Sequence, residues 1–120
     1  MNADSHDGAR DPPIDKEVVA QLRSEGDNLL CDLVDMFIVE VPVQLAKLEE
    51  ALTKRDAGAT RLAAHTLKGT GGNFGARRMQ TLASALEEKG RDASLDGASA
   101  ILTELRAECA RVREALQAER

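Results

Sequence analysis

The sequence predicts an all-α fold, an up-and-down antiparallel four-helix bundle with a short extra N-terminal helix. Three observations support this prediction. Only 2% of the 120 residues are aromatic, while alanine, leucine, glutamate and arginine, which favour helices, are abundant. Apolar residues recur at steps of three and four, the helical period, along most of the chain. The segments between these stretches are short, which favours antiparallel neighbours.

The first 13 residues contain several aspartates, end in Pro12-Pro13 and have almost nothing to bury. They predict a flexible tail or the end of a linker, followed by a domain over residues 14–120. A short first helix should begin after Asp15, whose carboxylate can cap it, and should end near Gly26.

The second helix is expected to be the longest, because one apolar stripe continues through it. The stripe consists of Leu30, Leu33, Phe37, Val41, Leu45, Leu48 and Leu52. Pro42 lacks a backbone donor and crowds the preceding turn. Since the stripe resumes in register, we expect a kink near Ile38 and not a break.

Three further helices complete the predicted bundle. Asp56 can cap a third helix that carries the stretch from Thr60 to Gly75. A fourth helix ends near Gly90 and carries the apolar residues Met79, Leu82, Ala83 and Leu86. A fifth carries Leu95, Ala98, Leu102, Leu105, Cys109, Val112 and Leu116.

The third helix carries the string His65-Thr66-Leu67-Lys68-Gly69-Thr70-Gly71-Gly72-Asn73-Phe74-Gly75. At about 100° per residue, one of its faces holds Arg61, His65, Lys68, Gly69 and Gly72. The opposite side holds Ala63, Leu67, Thr70 and Phe74, which should pack into the bundle. We therefore expect the imidazole to face solvent.

The glycines beside this histidine need an explanation, because glycine within a helix costs about 1 kcal/mol relative to alanine. The simplest explanation is steric: a phosphoryl group on a ring nitrogen, and the protein that delivers it, both need room. Lys68, one turn from His65, would place an ammonium where it can neutralise a phosphoryl dianion. The pattern thus indicates a histidine that carries a phosphoryl group.

This string resembles the motif of the histidine phosphotransfer (HPt) domains of two-component phosphorelays, His-x-x-Lys-Gly followed by small residues and a further glycine. The resemblance extends over about residues 14 to 118, where the Gly26-Asp27 step, the proline in the long helix and the Asp56 cap also match. It implies a phosphorelay intermediary that accepts a phosphoryl group from a receiver-domain aspartate and passes it to another receiver. It implies no kinase activity and no cofactor.

The resemblance also implies roles for individual residues. His65 would be the phospho-acceptor, Lys68 would contact the phosphoryl group, and Gly69 would keep the imidazole accessible. Glu87 and Arg91 lie where some members have a polar residue that orients the imidazole and a basic residue near the site. For both, an ordinary solvated face is an equally good interpretation.

Charge placement suggests where a partner docks. Between Lys54 and Arg78 six basic residues accompany one acid, whereas Glu25 to Glu50 holds seven acids and one lysine. A basic rim that includes Arg61, around an apolar spot at Leu62, would suit the acidic pocket of a receiver. We expect the partners to be receiver domains of response regulators or a hybrid histidine kinase, bound by a monomer.

Other functions find less support in the sequence. The net charge of −5 and the scarcity of aromatic rings argue against nucleic acid. No second histidine or Glu-x-x-His pair offers a metal site in the bundle, and the glycines do not match a nucleotide-binding spacing. Without an apolar span or a signal segment, we expect a cytoplasmic protein with no membrane contact. The remaining alternative is a helical adapter or dimerisation bundle in which His65 is incidental.

Overall fold

Five amphipathic segments of the chain form helices in the computed structural model, which describes residues 11–26 and 28–120. They are α1 (Lys16–Glu25), α2 (Leu29–Thr53), α3 (Ala57–Gly72), α4 (Arg77–Arg91) and α5 (Ala98–Glu119). The described residues form no strand, so the all-α prediction is confirmed. Residues 1–10 of the predicted tail and Asp27 lie outside the described residues.

Short acidic side chains cap the starts of α1 and α3. Asp15 accepts a hydrogen bond from the backbone amide of Glu17 at 2.9 Å, and Asp56 accepts one from the amide of Ala59 at 3.0 Å. Each carboxylate satisfies a donor that the first helical turn leaves unpaired. Both predicted caps are confirmed. Helix α2 runs through Pro42 without a break, also as predicted.

The core lies among the four long helices. Helix α3 packs on α4, α4 on α5, α5 on α2 and α2 on α3, while α1 packs on α2. The two phenylalanines, Phe37 and Phe74, meet edge to face with their ring centroids 5.9 Å apart. Ion pairs at the surface link Glu49 to Arg106 and Asp35 to Arg120, so α2 and α5 run in opposite directions.

Two apolar residues predicted on helices lie instead in the connections. Phe74 lies between α3 and α4, and Leu95 lies between α4 and α5, although both are buried. In each connection a glycine has a positive φ, 62° at Gly75 and 81° at Gly97, which a continuous right-handed helix does not allow. A Cβ on Gly75 would also lie 2.5 Å from the Cβ of Asp15.

The interior side of α3 differs from the prediction at one position. Ala63 and Leu67 are buried as expected, but Thr70 is only half-buried, and Gly71 takes the buried place next to it. Gly71 lies against the neighbouring helix, where an added Cβ would be 3.2 Å from the Met79 side chain of α4. Because Gly71 has no side chain, α3 packs closely on α4 at this position.

Candidate functional site

His65 projects from the middle of α3 with 65% of its side chain exposed. The same helix turns Ala63, Ala64 and Leu67 into the core, and this fixes the imidazole on the outer side. The exposure agrees with the prediction from helical periodicity.

One carboxylate, that of Glu87 on α4, lies at the centre of the site. Its side chain is only 6% exposed, although a glutamate is seldom buried without partners. His65 Nδ1 lies 2.7 Å from its Oε2, and Lys68 Nζ lies 2.6 Å from its Oε1. Lys68 and Glu87 thus form an ion pair at contact distance. Glu87 therefore joins the two residues that the motif singles out.

Arg91, one turn after Glu87 on α4, completes the group of charges. Its Nη2 lies 3.9 Å from Glu87 Oε2, and its side chain is more than half exposed. From the sequence, Glu87 and Arg91 could lie either on a solvated face or beside the imidazole. The structure puts Glu87 in contact with the imidazole and Arg91 next to Glu87.

The register between α3 and α4 explains why Glu87 reaches His65. A Cβ on Gly90 would lie 2.7 Å from both the Ala57 carbonyl oxygen and the Arg61 amide nitrogen, so the two backbones nearly touch there. Helices α3 and α4 run antiparallel. Glu87, three residues before Gly90, therefore lies opposite His65, four residues after Arg61. Sequence analysis missed this role of Gly90 and treated the residue only as a helix end.

The protonation of Glu87 decides which nitrogen of His65 carries a proton, because an ionised carboxylate can only accept hydrogen bonds. The Lys68 ammonium, and next the hydrogen bond from His65, hold the pKa of the Glu87 carboxyl below its usual value, although burial opposes them. Glu87 is thus ionised at neutral pH, and His65 donates its Nδ1 proton to Oε2. In the neutral ring the lone pair then lies on the other nitrogen, Nε2, which makes no hydrogen bond within the described residues.

The glycines near His65 serve different purposes. A Cβ added to Gly69 would have no atom within 4 Å, which is the open space that the sequence predicts there. A Cβ added to Gly72 would lie 3.1 Å from Gln80 Nε2 on α4, and the expectation that Gly72 also leaves room beside the imidazole stays a prediction. Gly72, like Gly71, accommodates side chains of the neighbouring helix.

The predicted docking residues Arg61 and Leu62 are both exposed. Leu62 borders a groove between α2 and α3 that Lys47, Lys54 and Thr66 also line. Much of the predicted basic rim is neutralised by ion pairs: Lys54 with Glu50, Arg55 with Asp96, Lys68 with Glu87, and Arg78 with Glu104. Arg61 makes no ion pair with any described residue, so its charge remains available beside Leu62.

Sequence analysis also missed an exposed apolar strip on α2. It consists of Met36, Val39 and Val43, all of them largely accessible to solvent. Their spacing of three and four residues was a usable signal, because it places them on one face beside the buried stripe of the same helix.

Two further findings concern residues 11–26 and 28–120. They contain no group of three or more histidine, cysteine, aspartate and glutamate side chains that could hold a metal ion. No helix among them is long and apolar enough to cross a membrane.

Comparison with known proteins identifies the fold. The Hpt domain family matches residues 32–115 of the chain. The crystal structure of histidine-containing phosphotransfer protein B (HptB) from Pseudomonas aeruginosa PAO1 superposes with a TM-score of 0.84 at 33% sequence identity. The match covers 91% of this chain and 95% of that one. The comparison with curated proteins found no significant match.

The family match covers most of the chain, and the structural match extends over nearly all of it. Together they favour the phosphotransfer function over the adapter or dimerisation bundle, because Hpt proteins are phosphocarriers; they are not kinases. The chain belongs to the Hpt domain family and is a histidine phosphotransfer intermediary of phosphorelays.

Proposed function

We propose that His65 carries the phosphoryl group on Nε2, receiving it from an aspartyl phosphate of one receiver domain and passing it to an aspartate of another. One observation supports this proposal above all. His65 is exposed, and Glu87, which is buried, engages its Nδ1, so in the neutral ring the lone pair lies on the other nitrogen. This is the protonation state that a nucleophilic imidazole requires.

Lys68 would act on the phosphoryl group itself. In the unphosphorylated protein its ammonium pairs with Glu87 Oε1, on the Nδ1 side of the ring. The flexible lysine stem allows the ammonium to move to the phosphoryl oxygens once they are bound to Nε2. There it would offset the charge that the phosphoryl group brings next to Glu87.

The receiver would dock over Gly69, Leu62 and Arg61. Gly69 leaves the approach to the imidazole open, and Leu62 offers an exposed apolar contact one turn away. The charge of Arg61, which pairs with no acid among the described residues, suits a partner whose phosphorylation site is an acidic pocket. The apolar strip on α2 would enlarge this surface, because α2 packs directly on α3.

The scaffold we propose is the up-and-down four-helix bundle formed by α2, α3, α4 and α5. The closed ring of helix contacts supports it, as do the antiparallel pairs between α2 and α5. We further propose that the working form is a cytoplasmic monomer. Cys31 and Cys109 are both free, which suits a reducing compartment, and a monomer leaves His65 accessible to receivers.

Phosphoryl transfer from candidate receivers tests the proposal. Each receiver is phosphorylated with a radiolabelled donor and mixed with wild-type protein or with His65→Gln. We expect label on the wild type that is labile to acid and stable to alkali, as for phosphohistidine, and none on the variant. Melting temperatures should nearly agree, because an exposed side chain contributes little to packing. Equal labelling of both proteins would refute the assignment of His65.

A further inference from the structure

The charge of Glu87 has a consequence for the phosphorylated state. When the Nε2 lone pair bonds to phosphorus while Nδ1 keeps its proton, the ring becomes cationic. Such a ring leaves as neutral imidazole when the phosphoryl group moves on, whereas a ring that has lost the Nδ1 proton must leave as an anion. Retention of this proton therefore decides how readily phosphohistidine donates its phosphoryl group.

Glu87 is the carboxylate in contact with this ring among the described residues. It lies 2.7 Å from Nδ1 and is 6% exposed, so its charge acts on the ring at contact distance. The other charges around the ring are cations on α3 and α4: Lys68, Arg91 and, one turn before His65, Arg61. From α2, Lys47 and the Lys54–Glu50 pair line the neighbouring groove. The negative charge of Glu87 thus opposes the positive potential of these cations, which favours loss of the Nδ1 proton.

Movement of Lys68 would strengthen this effect. Once the ammonium shifts to the phosphoryl oxygens, Glu87 Oε1 loses its ion pair, and Arg91 remains 3.9 Å from Oε2. The hydrogen bond from Nδ1 is then the closest contact that offsets the buried charge. The Nδ1 proton and the Glu87 carboxylate would then stabilise each other through this hydrogen bond.

We propose that Glu87 keeps the Nδ1 proton on the phosphorylated ring, so that phospho-His65 remains an efficient phosphoryl donor above neutral pH. This inference rests on the proposed role of His65. In loading, Nε2 bonds to phosphorus and the P–O bond to the receiver aspartate breaks, with its electron pair leaving on the carboxylate. In donation a carboxylate oxygen of the second receiver's aspartate bonds to phosphorus as the N–P bond breaks, and the electron pair of the N–P bond returns to Nε2. The Nδ1 proton stays on the ring throughout.

The test compares donation rates from phosphorylated wild type, Glu87→Gln and Glu114→Gln. Glutamine keeps the shape of Glu87 and can accept from Nδ1, but it lacks the charge. Glu114 is exposed on α5, which carries no site residue, so its variant controls for net charge. The proteins are loaded with phosphoramidate, and transfer to one receiver is timed between about pH 6 and pH 9. Ratios to wild type at each pH cancel the receiver's own titration.

We expect Glu87→Gln to donate about tenfold more slowly than wild type near pH 8, with the gap widening as pH rises. Glu114→Gln should follow wild type at every pH. A constant ratio across the range would overturn the inference, because a residue that only orients the ring slows transfer equally at all pH values. Failure of the phosphorylated wild type to pass its phosphoryl group to any receiver would instead refute the proposed function.

A second measurement uses the wild type alone and stands even if Glu87→Gln fails to fold. ¹⁵N NMR of the phosphorylated protein reports whether Nδ1 carries a proton. We expect that proton to persist at pH values where free phosphohistidine has lost its own. Identical titration of the protein and the free amino acid would contradict the inference.

Discussion

Two stretches of α3 differ in how closely other parts of the protein approach them. Near its start, around Ala57 and Arg61, the backbone of α4 approaches so closely that only glycine fits at position 90. One to two turns later, at His65 and Gly69, the outer side of the helix is open, and a Cβ on Gly69 would have no atom of the described residues within 4 Å. Glycine therefore has two roles in this helix pair, close packing at one level and access at the next.

The two roles depend on each other. The close approach at Gly90 brings the buried Glu87 against the inner edge of the imidazole, while the open face at Gly69 leaves Nε2 accessible. A histidine held on one nitrogen and free on the other can be both oriented and reactive. The comparison predicts that substitutions in the two stretches separate stability from phosphoryl transfer.

The largest effect should come from Gly90→Ala. The new Cβ would lie 2.7 Å from backbone atoms of α3, which cannot turn aside as a side chain does. We expect the free energy of unfolding to fall by about 1–3 kcal/mol. Transfer should slow as well, because the shift of α4 withdraws Glu87 from His65. Urea unfolding and receiver-to-protein transfer measure the two effects.

Gly58→Ala is the matched control for this prediction. It lies in the first turn of α3, where a Cβ would meet only Asp56 Oδ1 at 3.7 Å, an ordinary contact. The control should keep or slightly raise stability, because alanine is the better helix former. If Gly90→Ala behaved like Gly58→Ala, the close approach of α3 and α4 would not be what requires glycine.

The same comparison shows how far sequence could predict the site. His65, Lys68 and Gly69 lie within one turn and a half of a single helix, so periodicity alone places them together. Glu87 reaches them only through the crossing of α3 and α4, whose register depends on contacts such as Gly90 with Arg61. Local pattern cannot reveal such a register. For this reason the sequence did not decide whether Glu87 lies on a solvated face or beside the imidazole. The contact between Gly72 and Gln80 of α4 depends on the same register, and local pattern did not predict it.

A smaller effect is expected from the charge of Glu87 on acid stability. Lys68 and then His65 hold the pKa of Glu87 below its usual value of 4.5, so the native state stabilises the ionised form. That contribution is present above about pH 4.5 and is lost as pH falls through the lowered native value. Glu87→Gln should therefore lose less stability than wild type below pH 4.5. Melting temperature against pH shows this, and parallel curves would contradict it.

Gly71→Ala should change stability by less than about 1 kcal/mol. Its Cβ would meet Cγ and Sδ of Met79 at 3.2 Å, and these atoms can move because methionine is flexible. The helix propensity of alanine offsets part of the crowding. Phosphoryl transfer should stay at the wild-type rate, because this glycine packs inward. Slower transfer by a stable Gly71→Ala protein would show that the inward glycine also affects the site.

The smallest change in stability, with the sharpest consequence for function, is expected from Gly69→Gln. Glutamine favours helix over glycine, and its Cβ would have no neighbour within 4 Å, so unfolding free energy should rise by a few tenths of a kcal/mol. The longer side chain would occupy the approach to His65 and block the receiver. Stability and transfer would then move in opposite directions, whereas Gly90→Ala lowers both. Both quantities are measured on one preparation, and transfer at the wild-type rate would refute the access role of Gly69, because no close contact in the structure gives this glycine another purpose.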